Sequence, residues 1–142
     1  MEKDTRQTIE NILREQRLGV LATKGEPYPY TSLICFAGTP DLLNVYFPTL
    51  EDTSKYSNIK KDPMVSLLVN TGARASDFRQ AHAVTVLGAA RRADKDRMAE
   101  PYLERFPSLE DFVMDPSCIM INIRVEKYIL VAGLRQVTEL IP

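Results

Sequence analysis

The sequence predicts a mainly β domain, six or so antiparallel strands curled into a small closed barrel with helices at its periphery. Three observations predict it. Between residues 20 and 47, apolar and aromatic runs are separated by short Gly- and Pro-containing turns, as in consecutive antiparallel strands. Residues 64–70 are strongly apolar and read as a central strand buried on both faces. Residues 118–131 alternate Ile119, Ile121, Ile123 and Val125 with Met120, Asn122, Arg124 and Glu126, a period of two sustained over a long segment.

The elements follow in order. Residues 2–18 form a helix: Ile9, Ile12 and Leu13 recur at helical spacing among good helix formers, with Asp4 as a cap and Gly19 at the position after the end. Residues 20–23 are a short strand, 24–27 a turn, and 28–37 a second strand with Pro29 near its edge-like start. A turn at 38–41 leads into a third strand, 42–47, so these three strands are expected to pair as a meander. Residues 53–61 form a short helix capped by Thr53 or Asp52, burying Tyr56 and Ile59, and stopped by Asp62-Pro63. The strand at 64–70 gives way to a loop, 71–80, carrying Arg74 and Arg79. Residues 81–92 are a strand that Gly88 bends or bulges. Asp94 caps a helix at 95–105, with Pro101 able to kink or divide it. Ser108 and Asp111 suggest a capping-box start to a second short helix ending at Met114. Residues 118–131 are the long strand, and the mixed tail from 133 to 142 could pack on a neighbouring element.

A chain of 142 residues with one continuous pattern and no interior linker reads as a single domain spanning 1–142. Its formal net charge of -1 gives no general attraction to nucleic acid. No run is long enough for a membrane span, and the charged N-terminus has no signal-peptide core. Cys35 and Cys118 stand far apart in apolar runs, outside any metal-ligand spacing, which fits buried free thiols in a reducing compartment; the expected location is cytoplasmic. No Walker loop, nucleophile elbow, HExxH or Cys/His pair is present, so if the chain is an enzyme a cofactor carries the chemistry.

The chemistry-bearing stretch runs from 42 to 69. A strand ends in Pro48-Thr49, an acidic and polar segment follows, and Thr53, Ser54 and Lys55 open a helix before the next apolar strand. Hydroxyls and an ammonium at a helix start suit a phosphate. They equally suit a helix cap with solvated side chains. Lys60 and Lys61 read as a solvated helix end that complements the dipole, with a second phosphate contact the alternative, and Asn58 as a structural hydrogen-bonding residue in preference to a cofactor contact. Arg91 and Arg92, with Arg74 and Arg79, form either a basic rim for an anionic substrate or a generic charged surface. His82, the single histidine, reads as a partly exposed structural residue, with heme ligation or an acid/base role the alternatives.

Three segments then resemble the pyridoxamine 5′-phosphate oxidase-like, FMN-binding split-barrel proteins: the entry hairpin LATKGEPYPYTSLICFA, the strand–helix–strand segment containing PT, TSKY and NIKKDPMVSLLV, and the strand AVTVLGAARRAD. Together they cover most of residues 18–94. The resemblance implies a six- to seven-stranded antiparallel split β-barrel that forms a homodimer, with FMN in grooves between the subunits. It places Pro48 and Thr49 at the turn facing the flavin phosphate. Thr53, Ser54 and Lys55 match the family's phosphate cluster, Ser54 standing where arginine is usual and Pro48 where tyrosine is usual. Tyr30, Thr31 and Ser32 lie on the strand whose backbone lines the ring and ribityl chain. The implied function is that of an FMN-binding flavoprotein, a flavin-dependent oxidoreductase acting on a small molecule. The alternative is a non-catalytic module binding flavin, deazaflavin or heme on the same fold. Nothing resembles the C-terminal arginine and histidine pattern that pyridoxamine phosphate oxidase uses on its substrate.

Overall fold

The computed structural model describes residues 2–72, 79–133 and 135–142. Arg74, assigned above to a basic loop, lies outside these residues. The described chain contains eight strands in one antiparallel sheet: β1 (Leu18–Thr23), β2 (Tyr30–Cys35), β3 (Ala37–Gly38), β4 (Asn44–Leu50), β5 (Met64–Asn70), β6 (His82–Ala93), β7 (Cys118–Ala132) and β8 (Gln136–Leu140). The spatial order is β2-β1-β5-β6-β7-β4-β3, with β8 added to β7. The barrel is closed by a divided strand. β2 pairs with β1 as far as Cys35, and after Phe36 the same run of chain rejoins the sheet as β3 on β4. The mainly β antiparallel split barrel is therefore the observed architecture.

Long-range pairing departs from the expected meander. β1 and β2 do pair, but β3 holds β4 only through Ala37↔Tyr46 and Gly38↔Val45. The main partner of β4 is β7, opposite which it runs from Asn44↔Arg124 to Leu50↔Cys118, and β1 takes β5 as its second neighbour. Turn spacing reports only which strands are consecutive, whereas the alternation of β7 supplies a longer surface on which β4 buries Val45 and Phe47. β4 also runs on through Pro48 to Leu50 instead of ending at Phe47. Beyond Tyr46 it has no strand on its other side, so a proline there is tolerated.

One core fills the barrel: Leu21, Phe36, Phe47, Leu67, Val84, Val86, Ile121 and Tyr128 are among its buried members. Tyr128 donates its hydroxyl to Leu42 O at 2.8 Å, so the phenol is satisfied in the interior and its burial raises its pKa. Gly88 sits at the register shift between Leu87 and itself, and a Cβ there would lie 2.2 Å from Arg124 O; the bulge expected from the sequence is real and requires glycine.

Among the described residues four α-helices pack at the periphery: α1 (Glu2–Glu15), α2 (Ser54–Lys61), α3 (Lys95–Arg105) and α4 (Glu110–Met114), with a 3₁₀ turn at Pro107–Leu109 leading into α4. α1 buries Ile9, Ile12 and Leu13 as their spacing predicts. Its end differs from the expectation. The helix stops at Glu15, Asp4 lies inside it, and Gly19 belongs to β1, where a Cβ would meet Leu67 Cδ1 at 2.8 Å. The helix terminus is satisfied from elsewhere: the Arg105 guanidinium donates to Arg14 O at 2.9 Å, to Leu13 O at 3.1 Å and to Gln16 O. Asp94 caps α3 through Asp96 N, and α3 runs through Pro101 undivided. Ser108 makes no capping box; it lies inside the 3₁₀ turn, and α4 begins without a side-chain cap. The tail forms β8, from Tyr128↔Leu140 to Ala132↔Gln136.

Candidate functional site

The polar junction forms at the end of the sheet where β4 leaves β7. Extended backbone through Thr49 hands over to a tight turn, and Thr53 takes the N-cap of α2 with φ −87° and ψ 154°, its hydroxyl accepting from Tyr56 N at 3.4 Å. That hydroxyl also donates to Leu50 O at 3.0 Å and lies 3.2 Å from Thr49 Oγ1. Lys55, in the first turn of α2, reaches back so that Nζ donates to Thr49 Oγ1 at 3.1 Å. Thr49 Oγ1 thus lies within hydrogen-bond distance of both the Thr53 hydroxyl and the Lys55 ammonium. The helix N-terminus adds partial positive charge to the same place.

The electrostatics of Lys55 are one-sided. Burial pushes its pKa below the ordinary lysine range, and no carboxylate counters that push. Among the described residues the lysine–carboxylate pairs are Lys24–Asp62 at 3.1 Å and Lys127–Glu139 at 3.4 Å, both elsewhere. A half-buried ammonium held only by a threonine hydroxyl retains two free N–H donors and an unneutralised charge.

From this cluster a groove of about 390 Å³ extends between β2, β4 and the α3–α4 region. Leu33, Cys35 and Pro48 line it on the sheet side; Leu109 and Phe112 face them. Its size falls within the range of small-molecule sites, roughly 300–1,000 Å³, and its composition matches their pattern of apolar walls with a few convergent polar groups. Tyr102 closes the floor, fully buried and donating its hydroxyl to Cys35 O at 2.9 Å; burial raises the pKa of both the phenol and the Cys35 thiol.

The structure brings Pro48, Thr49, Thr53 and Lys55 together on this groove. Ser54 is exposed on the first turn of α2 and is not part of the lining. β2 contributes Leu33, Ile34 and Cys35, while Tyr30, Thr31 and Ser32 lie further back along the same strand. Ser32 keeps its Oγ buried without a hydrogen-bond partner. Asn58 has the structural role expected, donating to Thr23 Oγ1 at 3.0 Å. His82 stands opposite Ala132 at the far end of β6, its ring Nδ1 3.0 Å from Gln80 O, and Ala93 at the near end is eleven steps away, roughly 35 Å along the strand. The sequence does not mark Leu33, Cys35, Tyr102, Leu109 and Phe112 as site residues; Cys35 reads there only as a buried thiol. Phe112, an aromatic left exposed on a short helix, is the clearest signal among them.

A divided-strand barrel with this polar turn and helix defines a family. The family model of pyridoxamine 5′-phosphate oxidase matches residues 5–132, and the chain belongs to that family. General stress protein 26 of Bacillus subtilis is 29% identical over 129 residues, 88% of this chain and 86% of the relative. Among solved structures, general stress protein 26 from Bacillus anthracis superposes with a TM-score of 0.76 at 21% identity, covering 96% of this chain and 98% of that one. A heme binding protein from Mycobacterium smegmatis shares the fold with a TM-score of 0.81 at 19% identity; it covers 96% of this chain, which spans 57% of that one. Among the described residues, no helix is long and apolar enough to cross a membrane.

Proposed function

We propose that the chain is an FMN-binding flavoprotein, a flavin-dependent oxidoreductase of the split-barrel type. The observation that carries this reading is Lys55, a half-buried ammonium without a carboxylate partner, joined to the Thr49 and Thr53 hydroxyls at the mouth of an apolar groove. The residues fit the cofactor: the Lys55 ammonium keeps two N–H donors for a phosphate beside the Thr49 hydroxyl, and the groove offers Leu33, Pro48 and Phe112 to a flat ring. Bound there, a flavin supplies the two-electron redox chemistry. The chain's own part is to anchor the phosphate, orient the ring between β2 and α4, and keep water from the apolar wall.

The groove is open on one side, and the outer face of the adjacent sheet is apolar. Leu33, Val20, Leu68, Thr85 and Ile129 lie abreast across five strands, with Leu33 65% and Leu68 42% exposed. We propose that a second copy covers this face and completes the cofactor groove. Cys35 and Cys118 are free thiols, in keeping with a reducing, cytoplasmic location.

The test is the visible spectrum of the purified protein, followed by FMN titration of wild type and Lys55→Ala. Flavin bands, and at least about tenfold weaker FMN binding in the variant, are expected from loss of a charged hydrogen bond. Equal affinity would remove the phosphate assignment. The fold likeness to the M. smegmatis protein favours heme as the second reading, and a Soret band in place of flavin bands would establish it. Against it, the single histidine is remote from the groove within one chain.

A further inference from the structure

A second cavity, of about 250 Å³, lies at the other end of α2 and shares no lining residue with the groove. Lys60, Arg91 and Arg92 line it over a floor that includes Tyr56, Pro63 and Ala90. We propose that it is a binding site for a phosphate-type oxyanion, either free or carried on a small molecule.

The site arises where β6 outruns its neighbour. β5 begins opposite Ala89, so residues 90–93 of β6 have no strand on that side. Ala90 N–H is taken there by Pro63 O at 2.8 Å. Backbone groups alternate along an antiparallel strand, so the Arg92 N–H points to the same open edge as that of Ala90. Successive side chains of a strand alternate, so the Arg92 side chain leaves on the face of Ala90, toward the Lys60 side of the cavity, while Arg91 lines it from the neighbouring position and sends its own side chain to the other face. Among the described residues none of these three cations has a carboxylate within 4.0 Å. Nearby acids are committed elsewhere: Asp62 accepts from Met64 N and pairs with Lys24, and Asp94 caps α3.

The cations are of a kind suited to oxyanions, since guanidinium forks match phosphate geometry and an ammonium adds a point charge. Lys60 is held over the Tyr56 ring at 4.8 Å, which orders one donor in advance. The carbonyl end of α2 opposes an anion, but Lys60 and Lys61 in its last turn offset that dipole. A merely solvated basic face would need neither a cavity with buried Tyr56 and Ala90 as its floor nor an open strand edge.

The experiment is an amide NMR titration with inorganic pyrophosphate at constant ionic strength, on wild type, on Lys55→Ala and on the double variant Arg91→Gln/Arg92→Gln. The expected result is a saturable shift of the Arg92 amide that survives Lys55→Ala and weakens at least tenfold in the double variant. Both arginines are exposed, and an otherwise unchanged amide spectrum verifies the fold. Lys60→Gln, on the helix side, should weaken the same shift. A non-saturating response, equal affinity in the double variant, or shifts confined to the Thr53–Lys55 amides would overturn the proposal. Because the Lys55→Ala arm removes the groove cluster, failure of the FMN reading and failure of this one are separable.

Discussion

At the scale of single residues, Lys55 is where stability and ligand affinity oppose each other. Its ammonium is desolvated and lacks a counter-charge, so the native state binds that proton less tightly than the unfolded chain does. Native stability then rises with pH as the folded group deprotonates, and the gain is complete only above the unfolded lysine pKa of about 10.4. As pH falls back through the folded pKa, that contribution is lost. Lys55→Met keeps the stem and removes the charge. Thermal melts of the ligand-free variant should show unchanged or slightly higher stability at neutral pH, by up to roughly 1 kcal/mol, and a flatter alkaline rise. The same substitution should weaken FMN binding. A variant that loses both stability and FMN affinity would make Lys55 a structural residue.

At the scale of elements, the bulge in β6 and the tie between α3 and α1 are the points where the fold depends on one residue. Gly88→Ala places a methyl against Arg124 O, a backbone atom that cannot swing aside, and should cost roughly 3 kcal/mol in chemical denaturation. Arg105→Ala strips the last carbonyls of α1 of their donors; a loss of about 2 kcal/mol is expected, with the amides of α1 exchanging faster. Only the first of these was visible in the sequence, because a glycine inside a strand pattern carries its own signal, whereas Arg105 and the α1 terminus are about ninety residues apart. The same distinction holds for the site. Thr49, Thr53 and Lys55 fall within seven residues, and local turn-and-cap chemistry brings them together, so their grouping could be read directly. The groove's opposite wall, Leu109 and Phe112, arrives through the packing of α3 and α4 on β7 and β4, which no local pattern encodes. Gly19 shows the converse: a residue that fits a local rule for helix ends sits instead in β1, packed against Leu67 across the sheet.

At the scale of the whole molecule, β5 explains why a second copy is expected. Its sequence is apolar on both faces, the pattern of a central strand, and it does occupy a central place between β1 and β6. Yet only Val65, Leu67 and Val69 meet the barrel core, while Met64 and Leu68 are exposed, Leu68 beside Val20 and in one row with Leu33. A contiguous apolar face of this kind on one chain marks an interaction surface. The row from Leu33 to Ile129 runs across five paired strands and can meet its own symmetry mate, as a two-fold interface requires. Sedimentation of the wild-type chain should therefore give a dimer at micromolar concentration. Leu68→Glu adds a charge at the middle of the row without touching the core or the groove. It should shift the protein to monomer, since an unpaired carboxylate desolvated at an interface costs several kcal/mol. If the second copy also walls the cofactor groove, the monomeric variant should bind FMN more weakly even though Thr49, Thr53 and Lys55 are intact. A dimer unaffected by Leu68→Glu would move the interface elsewhere. A monomer with full FMN affinity would leave the groove complete within one chain.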